Sequence, residues 1–239
     1  MYRGELSLLQ QLATEGYTII NQANAGPGAA RNTGVKAAHG EYILFLDSDN
    51  KIRPAYIDRA IAVLSKRPEV GVVHGNANFF GIENRVQFVP QEFDMLKILR
   101  ANYIDMCSAV RKSAWLAAGG FDESRIMIGH EDWEFWINVG SRGWEFAHIQ
   151  EVLFDYRIRE DSLTQQVSQS ERLLKMVSHV HTKHWRLYAS YYHYLEQQLD
   201  YYAFDQRNPV RSFLKFMYRK YFPTGAKAQA GHFVWQTNN

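Results

Sequence analysis

A chain of 239 residues with 46% hydrophobic and 22% charged side chains is long enough for one medium domain with a full core plus an appendage. Its single cysteine, Cys107, excludes an internal disulfide and any cysteine metal cluster, and no stretch reaches the roughly 20 apolar residues of a membrane span. The net charge of +2 divides unevenly: residues 1–156 hold 15 basic against 19 acidic side chains, net −4, and residues 157–239 hold 12 against 6, net +6.

In chain order, Leu6, Leu9 and Leu12 share one face of a predicted helix over 4–14, which Gly16 ends. The β-formers of 17–20 predict a short strand. A loop holding Asn24, Gly26, Pro27 and Gly28 leads to a short helix over 29–38, stopped by Gly40. The near-continuous apolar run 42–46 predicts a central strand buried on both faces. Pro54 opens a helix with Ile57, Ala60, Ile61 and Leu64 on its apolar face. A strand starts at Val70 and extends towards Phe80. Residues 81–105 are irregular apart from a helical piece over 93–99. Helices follow at 112–118, closed by Gly119 and Gly120, and at 131–139, with closing strands at 144–149 and 152–156. Strands alternating with helices predict an α/β fold with a mostly parallel sheet flanked by helices. From Ser168 the pattern becomes long, Tyr-rich and helical, which predicts a helical extension over 166–239 behind a domain over 1–165.

Three constellations carry chemistry. Asp47-Ser48-Asp49-Asn50 follows the 42–46 strand, and ligands of open α/β sheets bind beyond the carboxyl ends of strands. Asp47 and Asp49 can point the same way, and a hard divalent ion bridging them to a substrate diphosphate would neutralise both. A solvated turn whose acids cap the next helix is the alternative. In Gly119-Gly120-Phe121-Asp122-Glu123 and Gly129-His130-Glu131-Asp132-Trp133 the glycines permit tight turns and close ligand approach. Glu131 and Asp132 open a helix, where carboxylates are favoured anyway, and either can serve as a general base. In Asn24-x-Gly26-x-x-x-Ala30-Arg31-Asn32-x-Gly34, Arg31 is either a phosphate or base contact or an ordinary surface arginine.

The order N-x-G-x-x-x-A-R-N-x-G, strand plus D-S-D, G-G-F-D-E, G-x-E-D-W, then Tyr156-Arg157 with Ser162 resembles family 2 of the glycosyltransferases, over about residues 5 to 165. The resemblance implies a GT-A fold, an inverting transfer from a nucleotide-diphosphate sugar, and Mn²⁺ or Mg²⁺ as cofactor. It implies an acceptor that is a saccharide, lipid-linked or a protein, and no nucleic-acid partner. By likeness, Asp47 and Ser48 contact the nucleotide and diphosphate, Asp49 with Asp47 holds the metal, and Asp132 is the catalytic base beside Glu131. Asn24 and Arg31 then lie on the nucleotide side, Arg157 near the diphosphate, and Trp133 and Gly120 on the acceptor side. Two departures stand out. Family members usually open with a strand, a helix and a second strand ending in Asp-Gly-Ser, all absent here, which suggests an N-terminal truncation. Arg159 stands where many relatives carry a metal-binding histidine, so it either removes a metal ligand or shares in neutralising charge.

Bland readings accompany several residues. His74 and His130 read as structural, and Cys107 as a small buried hydrophobe. Trp133 and Trp136 read as core, with Trp133 also suited to an acceptor platform. Phe213, Phe216, Met217 and Tyr221 with Lys215, Arg219 and Lys220 form a basic amphipathic segment, suited equally to a membrane surface or to packing on the body. With no export signal at the N-terminus, where Glu5 and Gln10 interrupt, the expected location is the cytoplasm, with peripheral contact at the inner membrane face. A catalytically impaired binding module and a nucleotidyltransferase-like protein are the alternatives, and the latter lacks the glycine- and lysine-rich phosphate loop it would need.

Overall fold

The computed structural model of the chain describes residues 3–87, 92–159 and 170–221. Six strands form one sheet: β1 (Tyr42–Leu44), β2 (Lys51–Ile52), β3 (Val70–Gly81), β4 (Arg85–Gln87), β5 (Ala109–Arg111) and β6 (Glu145–Ile158). Their order is β1-β5-β3-β6-β2, with β4 added to β3. The longest pairing, β3 with β6, is parallel, and the four shorter ones are antiparallel. The predicted α/β class with flanking helices holds, but the sheet is mixed, because strand–helix alternation fixes the order of elements and not the direction of each short strand. The helices are α1 (Arg3–Thr14), α2 (Pro27–Ala37), α3 (Ala55–Leu64), α4 (Met95–Arg100), α5 (Lys112–Ala118), α6 (Glu131–Ser141), α7 (Ser170–Lys183), α8 (Trp185–Arg207) and α9 (Pro209–Tyr221).

Several local expectations need correction. No strand forms at 17–20: no neighbouring strand pairs with it among the described residues, and Tyr17 is exposed. The predicted strands 144–149 and 152–156 are one strand, β6, whose register against β3 shifts between Ile149 and Val152. The shift falls at Gly75, where a Cβ would lie 2.4 Å from Leu153 Cδ1, so only glycine lets the two strands close there. On α3 the buried stripe is Tyr56, Ala60 and Leu64, while Ile57 and Ile61 face solvent. Tyr56 turns inward because its hydroxyl finds a partner, donating to the Cys107 carbonyl at 2.7 Å. Strands β2, β4 and β5 are two or three residues long, too short to announce themselves by periodicity.

Alternate residues of the strands point to opposite faces, and each face builds a core. Val72, Val110 and Phe146 pack with Trp115, Phe135 and Trp136 of α5 and α6 on one side. Val70, Val73, Ala109 and Phe154 pack with Tyr56, Ala60 and Leu64 of α3 on the other. Met176 and Val180 of α7 and Leu187 of α8 are buried in the first of these cores, so the start of the C-terminal helices rests on the sheet domain. The expected boundary at 165/166, and Ser162, lie outside the described residues. No helix among the described residues is long and apolar enough to cross a membrane.

Candidate active site

The turn after β1 places the first acids. Phe45 N–H donates to the Ser108 carbonyl, carrying β1 one residue further, and Asn50 N–H then closes on the Asp47 carbonyl at 3.0 Å. Arg31 reaches this turn from α2. Its Nη2 donates to Asp47 Oδ1 at 2.7 Å, and its Nη1 donates to Glu131 Oε1 at the start of α6. Glu131 Oε2 accepts from the Gly129 N–H at 2.8 Å, so both oxygens of this buried carboxylate are engaged. Burial opposes the Arg31 charge, but Asp47 and Glu131 outweigh it and raise its pKa above the ordinary guanidinium value. Three segments far apart in sequence are thus tied through one guanidinium.

Asp132 differs from its neighbour. Its Oδ2 accepts from Asn102 Nδ2 at 2.8 Å and its Oδ1 from the Trp133 N–H at 2.8 Å, with no ion pair to it among the described residues. Burial first, then the charges of Glu131 and Asp105, push its carboxyl up to about 7. Such a group takes up and releases a proton near neutrality, which a general base must do.

Two cavities meet here. A smaller one of about 270 Å³ is lined by Arg31, Asp47, Ser48, Asp49 and Glu131 among others. A larger cleft of about 700 Å³ is lined by Arg100, Asn102, Tyr103, His130, Trp133 and Met176 among others. Asp105, Gly129, Asp132, Tyr156, Arg157 and Arg159 line both and so form the boundary between them. At the end of β6, Arg157 N–H donates to Asn50 Oδ1 at 2.9 Å, its Nε donates to the Asp49 carbonyl at 3.4 Å, and its guanidinium lies over the Phe80 ring at 4.7 Å. Arg159 Nη2 pairs with Asp49 Oδ2 at 3.0 Å. Among the described residues no three His, Cys, Asp or Glu side chains converge as a metal site.

The structure brings Arg31, Asp47, Ser48, Asp49, Glu131, Asp132 and Arg157 together, with Trp133 on the larger cleft. Asn24 and Gly120 line neither cavity. Asn24 Oδ1 accepts from the Gly26 N–H and shapes the entry to α2. Gly120 has a φ of 82° and faces Asn32, whose Oδ1 a Cβ there would meet at 2.7 Å. Asn32 is the hidden centre of two motifs. Its Oδ1 accepts from Phe121 N–H and Trp115 Nε1, and its Nδ2 donates to the Phe121 carbonyl and Glu123 Oε1. The N of A-R-N therefore clamps the G-G-F-D-E loop. Trp133 is almost wholly buried and donates its indole N–H to the Ile98 carbonyl. His74 stacks on His148 inside the sheet, away from both cavities.

Sequence reasoning missed Asp105. It lies in the loop before β5, its Oδ1 accepts from the Cys107 N–H at 2.7 Å, and burial first pushes it up to about 6, with the Asp47 charge adding. The signal was an acid inside the apolar run Ile-Asp-Met-Cys, a residue type that enters such surroundings only with partners or a task. It also missed the charged clamp behind the site. Lys183 Nζ of α7 lies 2.8 Å from Asp122 Oδ2 and 3.0 Å from Glu134 Oε1, while His179 and His184 approach the same two acids. Burial would raise Asp122, but the hydrogen bonds from His179 and Lys183 prevail and hold it at about 2.

Comparison with known proteins follows the same lines. Residues 4–115 match the model of the family described as Glycosyl transferase family 2. An uncharacterized glycosyltransferase of Methanocaldococcus jannaschii, MJ1057, is 27% identical over 146 residues, 59% of this chain and 50% of that protein. An uncharacterized glycosyltransferase of Haemophilus influenzae is 27% identical over 128 residues, 51% of this chain and 43% of its own length. The chain thus spans about half the length of these curated relatives. Among solved structures, S. aureus TarS residues 1–349 in complex with UDP-GlcNAc superposes with a TM-score of 0.58 at 18% identity, covering 73% of this chain and 53% of that one, a likeness of fold.

Proposed function

We propose that this chain, whose residues 4–115 match the model of family 2 of the glycosyltransferases, moves a sugar from a nucleotide-diphosphate donor onto an acceptor hydroxyl with inversion. The carrying observation is the position of Asp132 on the boundary between two cavities, protonatable near neutrality. The smaller cavity, with Asp47, Ser48, Arg31 and Arg157, suits the nucleotide diphosphate, and the larger suits the acceptor. That TarS was crystallised with UDP-GlcNAc supports a nucleotide-sugar donor. The acceptor oxygen attacks the anomeric carbon from the side opposite the diphosphate. As that bond forms, the bond from carbon to diphosphate oxygen breaks, and the hydroxyl proton passes to Asp132. Glu131, held by Arg31 and Gly129, fixes the start of α6 and so the aim of its neighbour.

A divalent cation fits the donor side. Asp47 and Asp49 each draw a guanidinium, which indicates a pair of carboxylates that needs positive charge. Their hard oxygens, with diphosphate oxygens and water, make the mixed set that Mg²⁺ or Mn²⁺ takes. A bound ion would stabilise charge on the departing diphosphate. Arg159, more exposed than Arg31, is placed to turn from Asp49 to the phosphates. A lipid-linked acceptor would bring the protein to a membrane, where the basic C-terminal segment is the element suited to meet it. Calorimetric titration of UDP with and without Mn²⁺ tests the donor side: affinity should depend on the metal and lose that dependence in Asp49→Ala. Metal-linked affinity that survives the substitution would overturn the assignment.

A further inference from the structure

Helix α9 leaves most of its apolar face exposed. Val210, Phe213, Leu214, Met217 and Tyr221 follow i, i+3, i+4, i+7 and i+11, which places them on one side of the helix. Phe213 and Leu214 are 59% and 61% exposed, and Val210, Tyr218 and Tyr221 are exposed as well. An aliphatic and aromatic face of this kind is costly in water unless something covers it. The turn that presents it is fixed: Asn208 N–H bonds the Phe204 carbonyl, Pro209 begins the helix, and Ser212 Oγ donates to Asp205 Oδ1 at 2.5 Å.

The charge pattern says what covers it. The thirteen residues of α9 include Arg211, Lys215, Arg219 and Lys220 and no acid. At 100° per residue Arg211 and Lys215 border the apolar face on one side and Lys220 on the other. Lys220 Nζ lies over the Phe216 and Tyr221 rings at 5.8 and 5.5 Å, keeping its charge beside the aromatic edge. Pairing two copies of this face would set basic borders near one another, whereas an anionic surface satisfies every border at once. We propose that α9 lies in the interface of an anionic lipid bilayer, with its apolar face among the acyl chains and its basic borders at the headgroups. The body of the protein, net −4 over residues 1–156, is repelled by the same surface and stays outside it. The C-terminal helices also lend Leu173, Met176 and Val177 of α7 to the larger cleft. Given the proposed function, docking also suits an acceptor carried on lipid.

The test is sedimentation of the whole chain with phosphatidylcholine vesicles, with and without phosphatidylglycerol, in the absence of any sugar donor, so that its outcome is independent of catalysis. The chain should bind the anionic vesicles and largely ignore the neutral ones, with binding weakened by salt. K215Q/K220Q should lower the partition coefficient by about 30-fold, the worth of two basic side chains at an anionic surface. F213S/L214S, at positions already exposed, should keep the fold by circular dichroism and lose binding. Equal partitioning onto neutral and anionic vesicles would overturn the proposal, as would wild-type binding by K215Q/K220Q. So would sedimentation velocity showing a dimer that F213S/L214S dissolves, together with no vesicle binding.

Discussion

Arg159 Nη2 stands 3.0 Å from Asp49 Oδ2, so the carboxylate proposed to hold a divalent ion already has a cationic partner at the end of β6. Both side chains are partly exposed, which limits such a pair to about 0.2–1 kcal/mol. Arg159→Ala should therefore tighten Mn²⁺ binding in the absence of nucleotide by at most about 5-fold. Calorimetry with Mn²⁺ alone measures this. Weaker binding in the variant would mean that Arg159 orients Asp49 for the ion and does not compete with it.

Asn32 offers a stability prediction. Its amide satisfies Phe121 N–H, Trp115 Nε1, the Phe121 carbonyl and Glu123. Asn32→Ala leaves buried donors stranded, at a cost of about 2–4 kcal/mol, since each unsatisfied buried group costs about 1–3 kcal/mol. Urea unfolding should show a lower midpoint with an unchanged slope. A loss below about 1 kcal/mol would mean that water or a rearranged loop replaces the clamp.

These residues show how much was legible in the sequence. The long, regular features carried through: the apolar strand at 70–80, the helices after Pro27 and Pro54, and the acids placed at strand and helix ends. Asp47, Asp49, Glu131 and Asp132 were visible because their motifs are local. What escaped depends on distant partners. The different settings of Glu131 and Asp132, one paired with Arg31 and one not, rest on a residue that lies 100 positions before Glu131. Asp105 gains meaning only when β5 carries it beside Asp132. Gly120, expected on the acceptor side, lines neither cavity and packs against Asn32. The inward turn of Tyr56 needed the Cys107 carbonyl, which no periodicity on α3 can show.

The raised Asp132 pKa sets a pH dependence. With a folded value of about 7, the proposed base is protonated and idle in acid, so kcat/KM should rise with pH and level off above about 7. The stability consequence has the opposite sense. The unfolded carboxyl ionises near pH 4 while the folded one keeps its proton to about 7, so stability falls as pH rises through that window. Asp132→Asn should match the wild type near pH 4 and be the more stable protein above pH 7, as read by thermal unfolding across pH. Equal stability of the two at all pH values would place the Asp132 pKa in the ordinary carboxylate range.

Lys183 ties α7 to the acids behind the site. Lys183→Met removes one partner of Glu134, whose side chain has no solvent exposure, and one of Asp122, leaving them His184 and His179. Because Lys183 itself is partly exposed, the expected loss is about 1–3 kcal/mol, below the range for a fully buried pair. Hydrogen exchange should quicken over 170–183 before it quickens in β3. Uniform acceleration across the chain would mean that α7 opens only with the whole fold.

The most direct test of the central claim is turnover of Asp132→Asn with a nucleotide-diphosphate sugar. Asparagine keeps the size and the bond to Asn102 within reach but cannot accept the acceptor's proton. The account predicts a fall in kcat of about 10²–10⁴-fold with donor KM little changed, and a milder loss in Glu131→Gln. Near-normal turnover in Asp132→Asn with a dead Glu131→Gln would reverse the roles of the pair. Activity in both would contradict the account, leaving these acids as the start of α6 and nothing more.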